Sequence, residues 1–214
     1  LGDVYKRQLK TSKALSTSCV NFASDSSNYT IPQAIPKMKA RRVFVQLGAN
    51  DVDGSVSVDS FIADYKQFLQ SIRSAYSYCD IIAVGIPPVT EDSTNAAATQ
   101  TIIDQFNQAI AVACNDLGCK YLNSAEVLKD SSTGYAKSGY VLSSDGIHLT
   151  EQAMDALFTY IRTHSYITED TRPALTAVPT HTGDKDVSVA SNIVSSTTAV
   201  SYTHLRAHET VLDL

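Results

Sequence analysis

The stretch Asp80-Ile81-Ile82-Ala83-Val84-Gly85-Ile86-Pro87-Pro88 decides how the rest of the chain is read. Its apolar residues run without alternation, the pattern of a parallel strand covered on both faces, and the paired prolines end it in a loop. Upstream, Phe61, Tyr65, Phe68, Leu69, Ile72 and Tyr76 recur at three- and four-residue intervals. They predict an amphipathic helix from about Asp59 to Tyr76. Downstream, Ile102, Ile103, Phe106, Ile110 and Ala113 form the stripe of a second helix, from about Asn95 to Leu117, closed by Gly118. The β-branched and aromatic Arg42-Val43-Phe44-Val45-Gln46-Leu47, ended by Gly48, reads as an earlier strand, and Cys119 to Asn123 as a later one. Strands and helices alternating at this spacing predict right-handed βαβ units on a parallel sheet, an α/β fold.

Farther from the centre the signals shorten. Leu9 to Ser18 carries a short helix, Cys19 to Phe22 a short strand, and Ser24 to Asn28 a loop by composition. Thr30 to Lys39 is a helix capped by Thr30 with Pro32 in its first turn. Thr150 caps a last helix whose core stripe is Ala153, Leu157, Tyr160 and Ile161, with Glu151 suiting the positive end of its dipole. The Ser/Thr-rich stretch Thr171 to Ala199 has no helical period and reads as a linker or tail. Residues 1–8 and 200–214 resemble translated sequencing-adapter peptides and are set aside as a leader and a tail foreign to the domain. His204 and His208, four apart, fall with that exclusion as metal-ligand candidates. One domain, residues 9–170, remains.

Composition narrows the function classes. A length of 214 residues suits one α/β domain, and a net charge of −5 argues against a polyanionic partner such as nucleic acid. No apolar run is long enough to cross a bilayer as a helix. Cys19, Cys79, Cys114 and Cys119 lack metal-binding spacing and read as buried thiols, with a Cys114 to Cys119 disulfide as the alternative. No glycine-rich phosphate loop follows a strand, which disfavours a flavin or nucleotide binder. No cofactor or metal is implied.

In open parallel sheets, chemistry collects in loops beyond the carboxyl ends of strands. One such loop is Ser143-Ser144-Asp145-Gly146-Ile147-His148-Leu149-Thr150. Asp145, three residues before His148, can set a carboxylate against one imidazole nitrogen while the other takes a proton, although an Asp-Gly turn beside a scaffolding histidine is the plainer alternative. A second loop is Gly48-Ala49-Asn50-Asp51, where Asn50 is either a turn residue or an amide donor to a developing oxyanion. Asp51 reads as a cap or turn acceptor.

The two loops together resemble the G-x-N-D and D-G-x-H-L blocks of the SGNH (GDSL-type) hydrolases. Ile86-Pro87-Pro88 and Asn107 also fit that family, and the resemblance covers roughly Leu9 to Thr163. It implies a flavodoxin-like three-layer α/β/α sandwich and hydrolysis of acyl esters by a serine nucleophile. His148 would be the base, Asp145 its orienting partner, and Asn50 an oxyanion donor supported by the Gly48 loop. The family's nucleophile stands in a Gly-Asp-Ser block ending the first strand, and that triplet is absent here. Gly2-Asp3-Val4 has valine in the serine's place. The family's second block supplies a glycine amide to the oxyanion, yet no glycine occurs between Leu9 and Arg42, so Ser26 or a neighbour is the expected backbone donor. These departures imply a copy lacking its first strand and nucleophile, poorly stable and inactive. The alternative is a non-catalytic module of the same fold that binds a carbohydrate or acyl group. The expected partner is a small-molecule or carbohydrate acyl ester, and the tail suggests a secreted or cell-surface bacterial setting. Val89 to Ala98 and Lys129 to Tyr140 are the loops expected to set specificity.

Overall fold

The structure, a computed structural model, describes residues 9–22 and 27–164. All of them belong to one unit, Val4–Thr168. The leader, the linker or tail at 171–199 and the closing segment lie outside the described residues, as does Ser26.

Thr11–Ala14 make a single helical turn, α1, and Val20–Asn21 (β1) pairs antiparallel with Asn28–Tyr29 (β2). The composition of Ser24 to Asn28 predicts a loop, whereas Asn28 belongs to this ladder, because a two-residue ladder is too short to show alternation. Ile31–Met38 form α2, where the Thr30 hydroxyl and the Gln33 side chain cap each other's backbone N–H groups. Then come β3 (Arg42–Val45), α3 (Val58–Ala75), β4 (Asp80–Val84), α4 (Gln100–Leu117), β5 (Lys120–Leu122), α5 (Ala125–Leu128) and α6 (Glu151–Thr163). Helix α4 starts at Gln100 and not near Asn95, because Asn95 is spent on a turn of its own. Its carbonyl accepts from Ala98 N–H and its Oδ1 from Ala97 N–H, leaving Thr99 to cap the helix. The far end of α4 closes at Gly118 with φ 61°, as the glycine predicts.

The main sheet is parallel in the order β3-β4-β5, with Arg42 opposite Asp80 and Ile82 opposite Lys120. Successive side chains of a strand face opposite sides, and both sides here are covered. Ile81 and Ala83 join the core that holds Phe61, Tyr65, Phe106 and Ile110 of α3 and α4. Ile82 and Val84 pack instead with Leu122, Phe44 and the α6 residues Tyr160 and Ile161. The sheet therefore lies between two helical layers, the three-layer α/β/α arrangement expected from the sequence.

Polar groups at the sheet's rim are matched. Asp80 Oδ2 lies 2.8 Å from Lys120 Nζ and 3.8 Å from Arg42 Nη2, so the acid that opens β4 meets a cation from each neighbouring strand. Arg73 donates to the Leu117 and Gly118 carbonyls at the end of α4, where a cation suits the helix dipole. None of the four cysteines is in a disulfide, and Cys79, Cys114 and Cys119 are buried. Burial pushes the Cys114 thiol up to about 12, which keeps it protonated and unreactive. Among the described residues no helix is long and apolar enough to cross a membrane.

Ile82 is fully buried and central to the second core. Ile82→Ala is expected to lower unfolding stability by about 2–5 kcal/mol, whereas Val112→Ala, at a position 54% exposed, changes it by no more than about 0.5 kcal/mol. Urea denaturation of both variants checks the contrast.

Candidate functional site

The Asp145–His148 loop is closed at its base by a bridge between Val141 and Leu149. Leu142 N–H donates to the His148 carbonyl at 2.8 Å, and Gly146 N–H to the Leu142 carbonyl at 2.8 Å. Gly146 takes φ 69°, a left-handed value that turns the chain back on itself. Inside the turn, Asp145 Oδ1 accepts from the Ile147 and His148 backbone N–H groups at 2.7 and 2.9 Å. Its other oxygen, Oδ2, lies 3.0 Å from His148 Nδ1. The structure thus brings together the two residues that the sequence paired. The His148 backbone N–H, then that of Ile147, then the imidazole lower the Asp145 carboxyl to about 2. With Nδ1–H donating to this carboxylate, Nε2 carries the ring's lone pair and can serve as a base.

Gly48 ends the run from β3 in a backbone that only glycine adopts readily, with φ 118°. A Cβ there would lie 2.6 Å from Ile86 Cδ1 and 3.1 Å from Phe61 Cζ. Ile86 is itself buried, and Asn107 holds its backbone from both sides. Ile86 N–H donates to Asn107 Oδ1 at 2.7 Å, and Asn107 Nδ2 donates to the Ile86 carbonyl at 3.0 Å. Beyond Gly48 the chain turns, with Asp51 N–H on the Gly48 carbonyl at 2.9 Å, and Asn50 sits half-buried in that turn. Asp51 faces inward and accepts from Thr11 N–H at 3.0 Å and the Thr11 hydroxyl at 2.7 Å. It tethers α1, a structural acceptor as its sequence context implied.

Residues of the Val89 to Ala98 loop, expected from the sequence to set specificity, join these two loops. Thr94 N–H and hydroxyl donate to the Asp145 carbonyl at 2.9 and 3.2 Å, and Thr90 N–H to the Gly146 carbonyl at 2.9 Å. Asn95 Nδ2 donates to the Val52 carbonyl at 3.4 Å, two residues past Asn50. No sequence signal marks these threonines, because their partners are backbone carbonyls. Among the described residues no group of three or more His, Cys, Asp and Glu is placed to hold a metal ion. Surface depressions of about 300 and 340 Å³ lie between α3 and α4 and beside α5, and neither is lined by Asn50, Asp145 or His148. The His148 side chain is 57% exposed, so the pair stands on an open surface.

The sequence model described as "GDSL-like Lipase/Acylhydrolase family" matches residues 3–156. No curated protein sequence matches the chain. Among solved structures, the fold is similar to that of a protein of Streptococcus pneumonia assigned as a platelet activating factor. That pair is 24% identical with a TM-score of 0.52, over 56% of this chain and 57% of the other. An assigned acylhydrolase of Bacteroides fragilis is 15% identical with a TM-score of 0.51, over 60% and 62%. A GDSL-like lipase of Bacteroides thetaiotaomicron is 16% identical with a TM-score of 0.50, over 60% and 63%. At these identities the likeness is one of fold, and the chain spans less than two thirds of the length of each.

Gly48→Ala is expected to cost about 1–3 kcal/mol for the backbone conformation alone, read as a lowered urea midpoint. The depressed carboxyl of Asp145 sets a pH dependence with a definite sign. Its stabilising share is complete above the ordinary carboxylate value of about 4 and is lost as pH falls through about 2. Acid titration followed by carboxyl NMR should place the Asp145 midpoint well below the ordinary carboxylate value of about 4, and Asp145→Asn should flatten the acid limb of the stability curve.

Proposed function

The chain belongs to the GDSL-like lipase/acylhydrolase family, and on that footing we propose that its Asp145–His148 loop serves acyl-ester hydrolysis by serine chemistry. The observation that carries this reading is the 3.0 Å contact between His148 Nδ1 and an Asp145 carboxylate already held by two backbone N–H groups. In this mechanism His148 Nε2 takes the proton of a serine hydroxyl as the serine oxygen attacks the ester carbonyl carbon. Asp145 holds the imidazole in the required tautomer and stabilises the cation that forms. The carbonyl oxygen becomes an oxyanion, to which the Asn50 amide donates, with the Ser26 backbone N–H as a second donor. Collapse expels the alcohol, which His148 protonates, and water releases the acyl group by the same steps.

The 214 residues contain no Gly-Asp-Ser triplet, so the chain by itself turns esters over negligibly. The same absence supports a second reading, a binding module that holds an acyl or carbohydrate ester without cleaving it. Small-molecule and carbohydrate acyl esters are the substrate class under either reading.

Hydrolysis of p-nitrophenyl acetate by the chain is expected to stay at the buffer rate. Placing a strand that ends in Gly-Asp-Ser ahead of Leu9 should confer turnover, lost in His148→Ala and lowered about a hundred- to thousandfold in Asn50→Ala. Efficient turnover by the original chain that disappears in His148→Ala would refute the missing nucleophile. Turnover of the extended chain that survives His148→Ala would remove His148 from the base role. Binding of the ester by the extended chain without any turnover would favour the module.

A further inference from the structure

We propose that Thr94 is a positioning residue for the Asp145–His148 pair, holding the loop from outside through the Asp145 carbonyl. The inference rests on the reading of His148 as the base. Asp145 carries two kinds of acceptor, and the structure assigns them to different partners. Among the described residues its carboxylate is engaged within its own loop, by Ile147 N–H, His148 N–H and the His148 ring. Its carbonyl faces the neighbouring segment and accepts both from Thr94 N–H at 2.9 Å and from the Thr94 hydroxyl at 3.2 Å. Bonds inside a turn shape the turn without fixing where it points. The bonds from Thr94 supply that direction.

Packing beside Thr94 acts in the same sense. Gly146 lies so close to this segment that a Cβ on it would sit 2.1 Å from Thr90 Oγ1 and 3.0 Å from Ser93 Cα. The Thr90 hydroxyl oxygen is buried with no hydrogen-bond partner among the described residues, so that side chain serves by filling space, while its N–H holds the Gly146 carbonyl at 2.9 Å. The segment's other end is also anchored. Asn95 Nδ2 reaches the Val52 carbonyl at 3.4 Å, and Ala97 Cβ lies 3.4 Å from where a Cβ on Gly54 would be. Residues 90–97 therefore span from the Asp-His loop to the loop that carries Asn50. A strut in that place sets the separation between the base and the oxyanion donor.

Thr94→Val and Thr94→Ser in the 214-residue chain test the proposal by NMR. Valine keeps the shape and the backbone N–H and removes only the hydroxyl. Two quantities report on the pair directly: exchange of the Ile147 and His148 amides, which donate to the carboxylate, and the midpoint of the Asp145 carboxyl titration. Thr94→Val is expected to speed exchange of those two amides about tenfold, the opening that loss of one hydrogen bond allows. The Asp145 midpoint should rise from about 2 toward the ordinary value of about 4, while exchange of the β4 amides stays unchanged. Thr94→Ser should restore both quantities. Unchanged exchange and an unchanged midpoint in Thr94→Val overturn the proposal, as does a rise in exchange that includes β4 equally, which marks a general loss of stability. Failure of the catalytic reading appears elsewhere, as ester turnover indifferent to His148→Ala.

Discussion

Burial of β4 on both faces is the constraint from which the rest of the fold follows. A strand with no solvent face must satisfy its backbone through neighbouring strands, and β3 and β5 do so in parallel register. Its side chains must then feed two cores in alternation, which places α3 and α4 on one side and α6 on the other. Where the ladder stops, the demand for partners continues. Gly85 N–H finds the Leu122 carbonyl at 3.0 Å, the Gly85 carbonyl accepts from Ser124 Oγ at 2.9 Å, and Asn107 takes both backbone groups of Ile86. These bonds hold Ile86 against Gly48, so the loop bearing Asn50 is shaped by the strand two elements away.

What was legible in the sequence was whatever depended on period or on local chemistry. The α3 and α4 stripes, the Thr30 and Thr150 caps, the Gly118 terminus and the double-faced apolar run each have a one-dimensional signature, and the elements stand close to their expected bounds except at the start of α4, which is Gln100 and not near Asn95. The Asp145–His148 contact was legible for a similar reason, since both partners lie on one turn and the glycine between them permits it. Strand β1 falls inside the expected Cys19 to Phe22 run, but its partner β2 and helix α5 were not legible, because two or four residues cannot display a period. Thr90, Thr94 and Asn95 were not, because they act on carbonyls that every residue possesses. A side chain whose partner is backbone leaves no partner residue to recognise in the sequence.

The groups able to do nucleophilic or acid-base chemistry are sorted by environment. Tyr65 and Cys114 are pushed above their usual range by burial first of all, which holds them neutral inside the core. Asp145 is moved the other way, and by hydrogen bonds from backbone N–H groups. The first kind of shift removes a group from chemistry, whereas the second preserves a charge at the surface. Four cysteines therefore offer a weaker case for a nucleophile than their number suggests, since three of them are buried.

This mode of stabilisation ties the charge of Asp145 to the shape of its loop. The Ile147 and His148 N–H groups reach Oδ1 only while the turn through Gly146 holds its left-handed form, and that same turn aims the imidazole at Oδ2. A desolvated carboxylate keeps its altered acidity through modest rotations, because burial is insensitive to angle. One held by directed N–H donors does not, since hydrogen bonds weaken steeply with misalignment. The acidity of Asp145, the tautomer of His148 and the direction of its Nε2 are accordingly one variable, set by where the backbone of residues 142–149 lies. The Val141–Leu149 bridge closes that backbone at its base, and the segment after Pro88 ties it from outside through the Asp145 and Gly146 carbonyls.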